Sequence, residues 1–541
     1  MCRLESRESI KLSPATGGIV VAQFFFPRIR TTFILGIVFP VIHFFSNPWI
    51  TFLVFLALIL GLLGLTELMR RKGKWSPEGT RKFLHLVVGI LVILCPFLFD
   101  SRIPPATLAV IFILINGAAL KTRTLKGMHG TGRRTYGTVY FPVAFLILTL
   151  FWWERPITLV TSLLLLTFAD TTAAVVGERA KSPDRYVAWS DEKSVQGTLT
   201  MFLVSLLLVG GGVPVLYRLA GLTPPGVETV VPLSLFIAAL ATIAEGMSHA
   251  GSDNLTVPLV AAVGIDLFQA NAQSGHPLGL LFWAVFSLVL AWSAFRLNAL
   301  TIDGALGAFV MGVFIFGIGT WKFMIPLTVF LVISSLLSRI HYRAKAKLEV
   351  EWLGKGYPRN LVQVFANGGV PLVIAIWWFY SPSPWLYVAY VASVAAANAD
   401  TWATEIGLLS KSSPRNCVTF RVVEPGTSGG VTPLGTFGAA AGSTVVALSA
   451  LPFLPPHTQA AVLVAAAGFA ASLIDSILGA TLQATYRCRT CQKTTEMPRH
   501  CSGEAILVKG HRTVTNNTVN LVCTLSGGVM ILLLPVLPTT G

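Results

Sequence analysis

The sequence predicts an all-α, polytopic integral membrane protein of about 15 to 17 transmembrane helices arranged in two related modules. Three observations carry that prediction: an apolar composition, apolar runs of spanning length along the whole chain, and basic residues gathered on one side. Of 541 residues, 54% are hydrophobic and only 12% charged, and the mean hydropathy is +0.71. A soluble domain carries about 25% charged residues, so most of this surface must be solvated by lipid. No stretch longer than about forty residues lacks an apolar run, which predicts no separate extramembrane domain.

The runs begin near residues 32–45 and continue to 518–537. Arg3, Arg7, Lys11, Arg28 and Arg30 precede the first run, which lacks a small-residue cleavage site and leads into a second, as expected of a retained helix rather than a cleaved signal. Residues 1–69 are thus expected to form an N-terminal helix pair. Two later runs are ambiguous: 255–270 is short and opens in a polar motif, which is compatible with a re-entrant segment, and 300–319 could merge with its neighbours. The seven cysteines are scattered, apart from a group near the C-terminus, and imply no disulfide framework.

Alternating the runs across the bilayer places the loops 70–82, 121–136, 179–195, 339–359, 410–427 and 485–515 on one side. Together with the N-terminal tail they hold 35 of the 40 Lys and Arg residues. The positive-inside rule makes that side cytoplasmic. The opposite connections, 46–48, 100–105, 154–156 and 381–384, are short and nearly uncharged. The net charge of +16 is therefore largely a topological signal. It suits anionic headgroups or phosphates, while its dispersal among membrane loops argues against a nucleic-acid partner.

An internal echo divides the chain. Residues 168–182 read FADTTAAVVGERAKS and residues 398–412 read NADTWATEIGLLSKS, sharing Ala, Asp, Thr, Ala, Gly and the closing Lys-Ser without a gap. Downstream, KSVQG (193–197) and GTSGG (426–430) each precede an apolar run. Upstream, Arg81 and His85 in RKFLHLVVG face Arg359, Gln363 and Asn367 in RNLVQVFANGG. Three elements in the same order suggest duplication, with a boundary near Arg296 between modules at 70–295 and 296–541.

Acidic residues inside membrane runs are costly to bury and usually mark function. Asp170, Glu245 and Asp253 qualify in the first module, and Asp303, Asp400, Glu405 and Asp475 in the second; the plain alternative is a headgroup-level residue paired with an Arg. Phosphoryl transfer needs carboxylates for Mg²⁺, cations and backbone N–H groups for phosphates, and a group that positions the attacking oxygen. Asp170, Asp253, Asp400 and Asp475 are natural metal carboxylates. Lys193 with Ser194 and Gly197, and Thr427, Ser428, Gly429 and Gly430, are candidate phosphate elements at helix N-termini. Glycines in such turns, including Gly430 and Gly435, equally allow close helix packing.

His85 lies one helical turn past Arg81, on the same face, and a phosphate-facing role competes there with that of a satisfied interior histidine. Its counterpart Gln363 cannot carry a proton in that way, so the two sites are expected to differ in acceptor chemistry. The asparagines 516, 517 and 520 suit helix capping as well as substrate contact. Cys488 and Cys491, followed by His500 and Cys501, offer the ligands of a small zinc site. Adjacent His-Cys ligation is unusual, and a metal-free reduced loop is the alternative.

These motifs carry a family resemblance. RKFLHLVVG, FADTTAAVVGERAKS, EKSVQG and EGMSHAGSDNLTVPL make residues 65–270 similar to the CTP-dependent dolichol and phytol kinases. That resemblance implies a nucleotide and metal site of Asp170, Lys193, Gly197, Asp253 and Asn254, and a long isoprenoid alcohol as acceptor. LTIDGALGA, KGYPRNLVQVFANGG, ADTWATEIG, PGTSGGVTPLG, DSILGATLQ and NNTVN make residues 298–535 resemble the phytyl-phosphate kinases. This implies a second phosphorylation, to the diphosphate, around Asn367, Asp400, Glu405, Thr427, Ser428 and Asp475. The function so implied is a bifunctional salvage kinase feeding tocopherol-, quinone- or chlorophyll-type prenylation, with a nucleoside triphosphate, the alcohol and its monophosphate as partners. A CDP-diacylglycerol-type cytidylyltransferase is the nearest rival, but its paired-Asp and Lys-Arg ending is not found here. A duplicated transporter is another, though its charges would cluster at the midplane. A bacterial inner membrane is the expected location, since no convincing Ser-rich transit stretch is present, and a plastid envelope is the alternative.

Overall fold

The computed structural model describes residues 45–534, apart from 46, 74–75, 123–134, 181–183, 189–190, 275–277, 346–357, 456 and 502. The first expected run therefore lies, except for Phe45, outside the described residues. What is described is a helical membrane protein with short strands confined to loops.

The described chain opens with α1 (Pro48–Arg71), α2 (Pro77–Leu98), α3 (Ile103–Thr122), α4 (Gly137–Trp152) and α5 (Pro156–Leu164). α5 runs through one π turn, Leu165–Ala169, into α6 (Asp170–Arg179). A hairpin of β1 (Arg185–Ala188) and β2 (Asp191–Ser194) follows, then α7 (Val195–Leu219), α8 (Val227–Gly246), α9 (Asp253–Gln273) and α10 (Gly279–Arg296). Several helices open on proline at the first turn, where the missing N–H costs nothing, with Asn47 and Ser76 capping α1 and α2. α9 is an uninterrupted helix of 21 residues, long and apolar enough to cross a membrane. The polar motif before residue 255 is thus the entry to a complete helix, not a re-entrant loop.

α11 (Ile302–Lys345) follows α10 after a short turn. A straight helix of this length would rise about 1.5 Å per residue and overshoot any bilayer. Instead Thr320 breaks it, with φ 52° and ψ −141°. Both ends return to one side: Asp303 accepts from the Leu361 N–H, and Ser338 donates to Glu405, whose charge reaches Arg359 just before Leu361. The element is a helical hairpin. Pro326 has no N–H for the Lys322 carbonyl, and the Tyr387 hydroxyl supplies the missing donor at 2.9 Å, with Tyr390 donating to the Phe323 carbonyl at 2.7 Å.

α12 (Leu361–Tyr380), α13 (Pro384–Gly407), α14 (Pro433–Ala450), α15 (His457–Thr481) and α16 (Asn516–Leu532) complete the bundle. β3 (Arg415–Asn416) pairs with β4 (Gly430–Val431) between α13 and α14. Between α15 and α16, β5 (Thr485–Arg487) is flanked by β6 (Thr494–Thr495) and β9 (Ile506–Lys509), beside a hairpin of β7 (Arg499–His500) and β8 (Gly503–Glu504). Among the described residues, 12 helices are long and apolar enough to span a membrane. α4, α13 and α16 fall outside that set, and α11 contributes two passes, so the expected number of crossings is consistent with the fold.

Counted along the chain, successive helices alternate in direction, so the described helix ends that flank the basic loops fall on one side. On the opposite side the modules meet at Asp266 of α9, which is wholly buried and accepts from Trp152 Nε1 (2.8 Å), Arg155 Nη1 (2.6 Å), Thr158 Oγ1 (3.1 Å) and Tyr380 Oη (2.9 Å). Asp266→Ala would strand four donors, one charged, at a cost of about 3–5 kcal/mol. A thermal melt of the detergent-solubilised variant should show a clearly lowered midpoint; an unchanged midpoint would mean that this junction does not stabilise the fold.

Candidate active sites

The π turn at Leu165–Ala169 is the local feature from which the first site is built. An inserted residue releases backbone carbonyls from the helical ladder, and the Leu166 carbonyl accepts from His85 Nε2 at 2.9 Å. That bond fixes the tautomer, with the proton on Nε2 and a lone pair on Nδ1. Asp170 follows directly, its Oδ2 4.0 Å from the His85 ring nitrogen. Among the described residues no side chain donates a hydrogen bond to Asp170.

Lys193, at the end of β2, reaches Glu245 at 2.5 Å, Ser248 Oγ at 3.0 Å and Asp253 at 3.8 Å. Ser248 also donates to Asp253, and the Asn254 amide nitrogens hold the other Asp253 oxygen. Burial pulls the Lys193 ammonium down, but Glu245, Asp253 and Asp170 outweigh it and raise its pKa above the usual lysine value. The charges of Asp253, Glu245, Lys193 and Arg81 all reach Asp170. Three carboxylates thus gather around one ammonium, with Arg81 tied to Glu78 at 2.5 Å. Carboxylate oxygens in excess of cations are the chemical type of donor that Mg²⁺ takes, though in this arrangement both Asp253 oxygens already accept hydrogen bonds.

Adjoining this cluster through His85 and Asn254 is an open cavity of about 790 Å³, solvent at its mouth included. Its walls are apolar: Ile59 and Leu63 of α1, Val88 and Val92 of α2, Phe112 of α3 and Phe145 of α4. Its polar end holds Arg81, His85, Asn116, Thr138 and Asn254. Arg81 Nε, Asn116 Oδ1 and Thr138 Oγ1 are buried with no hydrogen-bond partner among the described residues. Such atoms cost about 1–3 kcal/mol each when unpaired, and a polar head seated there would satisfy them. Sequence reasoning passed over Asn116, Thr138 and Ser248; a lone Asn inside the α3 run was the available signal. It also left the role of the N-terminal helices open, and α1 supplies one wall of this cavity.

Ser194 and Gly197 have local duties. Ser194 caps α7 by accepting from the Gly197 N–H at 3.1 Å. A Cβ on Gly197 would meet the Ala173 carbonyl at 3.1 Å and Gly177 Cα at 3.5 Å. The same arrangement recurs in the second module. Thr432 accepts from the Gly435 N–H at 3.0 Å, and a Cβ on Gly435 would meet the Ala403 carbonyl at 2.9 Å and Gly407 Cα at 3.1 Å. Ala173 and Gly177 stand at the same offsets from Asp170 as Ala403 and Gly407 from Asp400. The geometric counterpart of Ser194–Gly197 is therefore Thr432–Gly435, just beyond the Thr427–Gly430 segment that the sequence alone aligns with it.

Around Asp400 the second cluster assembles. Burial lowers the Arg359 pKa from the usual guanidinium range, opposed by the charges of Glu405 and Asp400. Asp475 and Asp400 both act on Cys523 of α16, which brings α13 and α15 to one place. Asn367 donates to the Gln363 carbonyl at 2.9 Å. Gln363 closes a capping box with Asn360, its amide oxygen accepting from the Asn360 N–H at 3.0 Å. The residue aligned with His85 thus serves a helix terminus. Thr427 donates to the Glu424 carbonyl, and Ser428 donates to Glu496. Gly429 takes φ 78° against α15, where any Cβ would lie 2.4 Å from the Ala480 nitrogen, so only glycine fits. Gly430 enters β4.

Comparison with known proteins adds an independent constraint. Residues 285–528 match the family described as "Integral membrane protein DUF92". The chain is 31% identical to Protein PGR of Arabidopsis thaliana over 269 residues, 45% of this chain and 91% of that protein. It is 31% identical to an uncharacterized membrane protein of Methanocaldococcus jannaschii, over 36% of this chain and 79% of the relative. It is also 32% identical to a phytol kinase of Synechocystis, over 38% of this chain and 87% of the enzyme. No solved structure matches.

Proposed function

Because this chain belongs to the DUF92 family of integral membrane proteins and is a relative of a phytol kinase, we propose that it phosphorylates an isoprenoid alcohol twice. On this reading the 70–295 module makes the monophosphate with CTP and the 296–541 module, a diverged copy, makes the diphosphate. One observation carries the reading: a lysine–carboxylate cluster adjoins, through His85 and Asn254, an apolar cavity whose polar lining has unpaired buried atoms.

In the first module the prenyl tail of phytol or geranylgeraniol lies in the cavity and its hydroxyl sits near His85, Asn116 and Thr138. Asp170 and Asp253 would hold Mg²⁺, which would offset the charge of the nucleotide phosphates. Lys193 lies against the transferred phosphoryl group. The hydroxyl oxygen attacks the γ-phosphorus, CDP leaves, and the proton passes to His85 Nδ1. In the second module Arg359 would face the monophosphate, Asp400 and Asp475 would hold the metal, and Thr427–Gly430 would border the nucleotide. A phosphate monoester is already deprotonated near neutral pH and needs no base, which accounts for a capping glutamine in place of His85.

The test is to incubate membranes containing the chain with labelled phytol and each nucleoside triphosphate in turn, separating mono- from diphosphate. CTP-dependent appearance of both products is expected; no phosphorylated phytol with any nucleotide would overturn the proposal. The cavity adds a sharper prediction. Ala109, on α3, lines it and is almost fully buried. Ala109→Phe should raise KM for a C20 alcohol about tenfold, within the range set by a few methylenes in an apolar pocket, while a short-chain alcohol is converted as before.

A further inference from the structure

The loop between α15 and α16 carries a second chemistry. It exceeds thirty residues by little, and its two small sheets enclose almost no apolar core, with Tyr486 and Cys488 among its few buried side chains. A segment of this kind needs another source of order. Cys488 and Cys491 stand on the turn between β5 and β6, and His500 and Cys501 on the β7–β8 hairpin.

All four ligand atoms lie within 4.8 Å of one another. His500 Nδ1 is 3.5 Å from Cys491 Sγ and 3.2 Å from Cys501 Sγ. A tetrahedral zinc ion with bonds of about 2.3 Å to sulfur and about 2.0 Å to nitrogen sets N···S edges near ~3.5 Å, so the donors already stand at the corners of such a site.

The backbone explains how adjacent residues share one point. In an extended strand His500 and Cys501 would point to opposite faces, but Cys501 is left-handed, with φ 50°, and its thiol swings back beside the imidazole. Gln492, with φ 58°, turns the chain similarly after Cys491, while its N–H reaches the Cys488 carbonyl at 3.1 Å. Thiolates and imidazole select zinc over the hard cations that carboxylates take. The six described cysteines are free thiols.

We propose that Cys488, Cys491, His500 and Cys501 bind one zinc ion in a closed, structural site. Four protein ligands leave no position for a substrate, so the ion acts by holding the loop together. What the loop then holds is specific: Glu496 receives the Ser428 hydroxyl, and Lys509 donates to the Gly479 carbonyl at 3.0 Å, beside the close contact of Gly429 with Ala480. The metal site thus braces the Thr427–Gly430 segment from outside the bundle. Nothing in this inference depends on the kinase reading.

The test is metal analysis of the full-length, detergent-purified chain by mass spectrometry. One zinc per chain is expected, falling at least about fivefold in Cys491→Ser and in Cys501→Ser, as loss of a ligand disables a site of this kind. Protein produced with cobalt should show the visible absorption of a tetrahedral thiolate complex, a readout that needs no variant to fold. In limited trypsin digestion, chelation should loosen the loop and speed cleavage after the exposed Lys493 and Arg499, and added zinc should slow it again. A metal-free wild-type chain without the cobalt signature, or zinc content unchanged in both variants, overturns the proposal. Phosphorylation is not measured, so this result and the assay of labelled phytol fail or succeed separately.

Discussion

Asp170→Asn should abolish phosphorylation of the alcohol, lowering the rate at least about a hundredfold, as removal of one well-placed electrostatic group at a reacting phosphoryl does. The expectation follows from position. Asp170 opens α6 after the π turn, with His85 at 4.0 Å and no direct side-chain donor among the described residues. The amide keeps the shape but not the charge, and it removes an anionic oxygen from a cluster whose chemistry rests on three carboxylates around Lys193. Both products should vanish when the alcohol is supplied. Supplied monophosphate should still be converted, because the second cluster is untouched. A thermal melt close to that of the parent chain would show that the loss is chemical. Substantial monophosphate formation by Asp170→Asn would remove this carboxylate from the mechanism.

Asp400→Asn should do the reverse, letting monophosphate accumulate while diphosphate falls by about the same factor. Asp400 occupies the same place relative to Ala403 and Gly407 as Asp170 does to Ala173 and Gly177. Its charge reaches Arg359 and, together with that of Asp475, Cys523. With labelled phytol and CTP, a shift from diphosphate to monophosphate at constant total label is the expected chromatogram. Unchanged diphosphate yield would end the division of labour between the modules.

The fold was legible in the sequence wherever the relevant signal was apolar length or charge sidedness. The 255–270 run is the instructive case: its polar opening suggested an incomplete crossing, yet Asp253 and Asn254 form the entry of a full helix because they are paired with Lys193, Ser248 and the Gly251 carbonyl. Thr320 was not legible, since Gly-Thr-Trp is no recognised turn pattern. The hairpin there depends on Tyr387 and Tyr390, more than sixty residues away. The site was half legible. Carboxylates and Lys193 stand out in an apolar chain, but the roles of Ser194 and Gly197 depend on which backbone they touch, and the duty of Gln363 on where α12 begins. Asn116 and Thr138 matter through what they lack, which no linear pattern records.

The two contacts at Gly197 and Gly435 have a mechanical consequence. Where helices meet through side chains, their relative height drifts with every rotamer exchange at the seam. Here main chain rests on main chain, so there is no rotamer to exchange, and the helices bearing Asp170 and Asp400 are pinned in register by missing atoms. Changes in bilayer thickness, which tilt and slide less tightly seated helices, would be absorbed elsewhere in the bundle, leaving the height of each carboxylate above the lipid nearly constant.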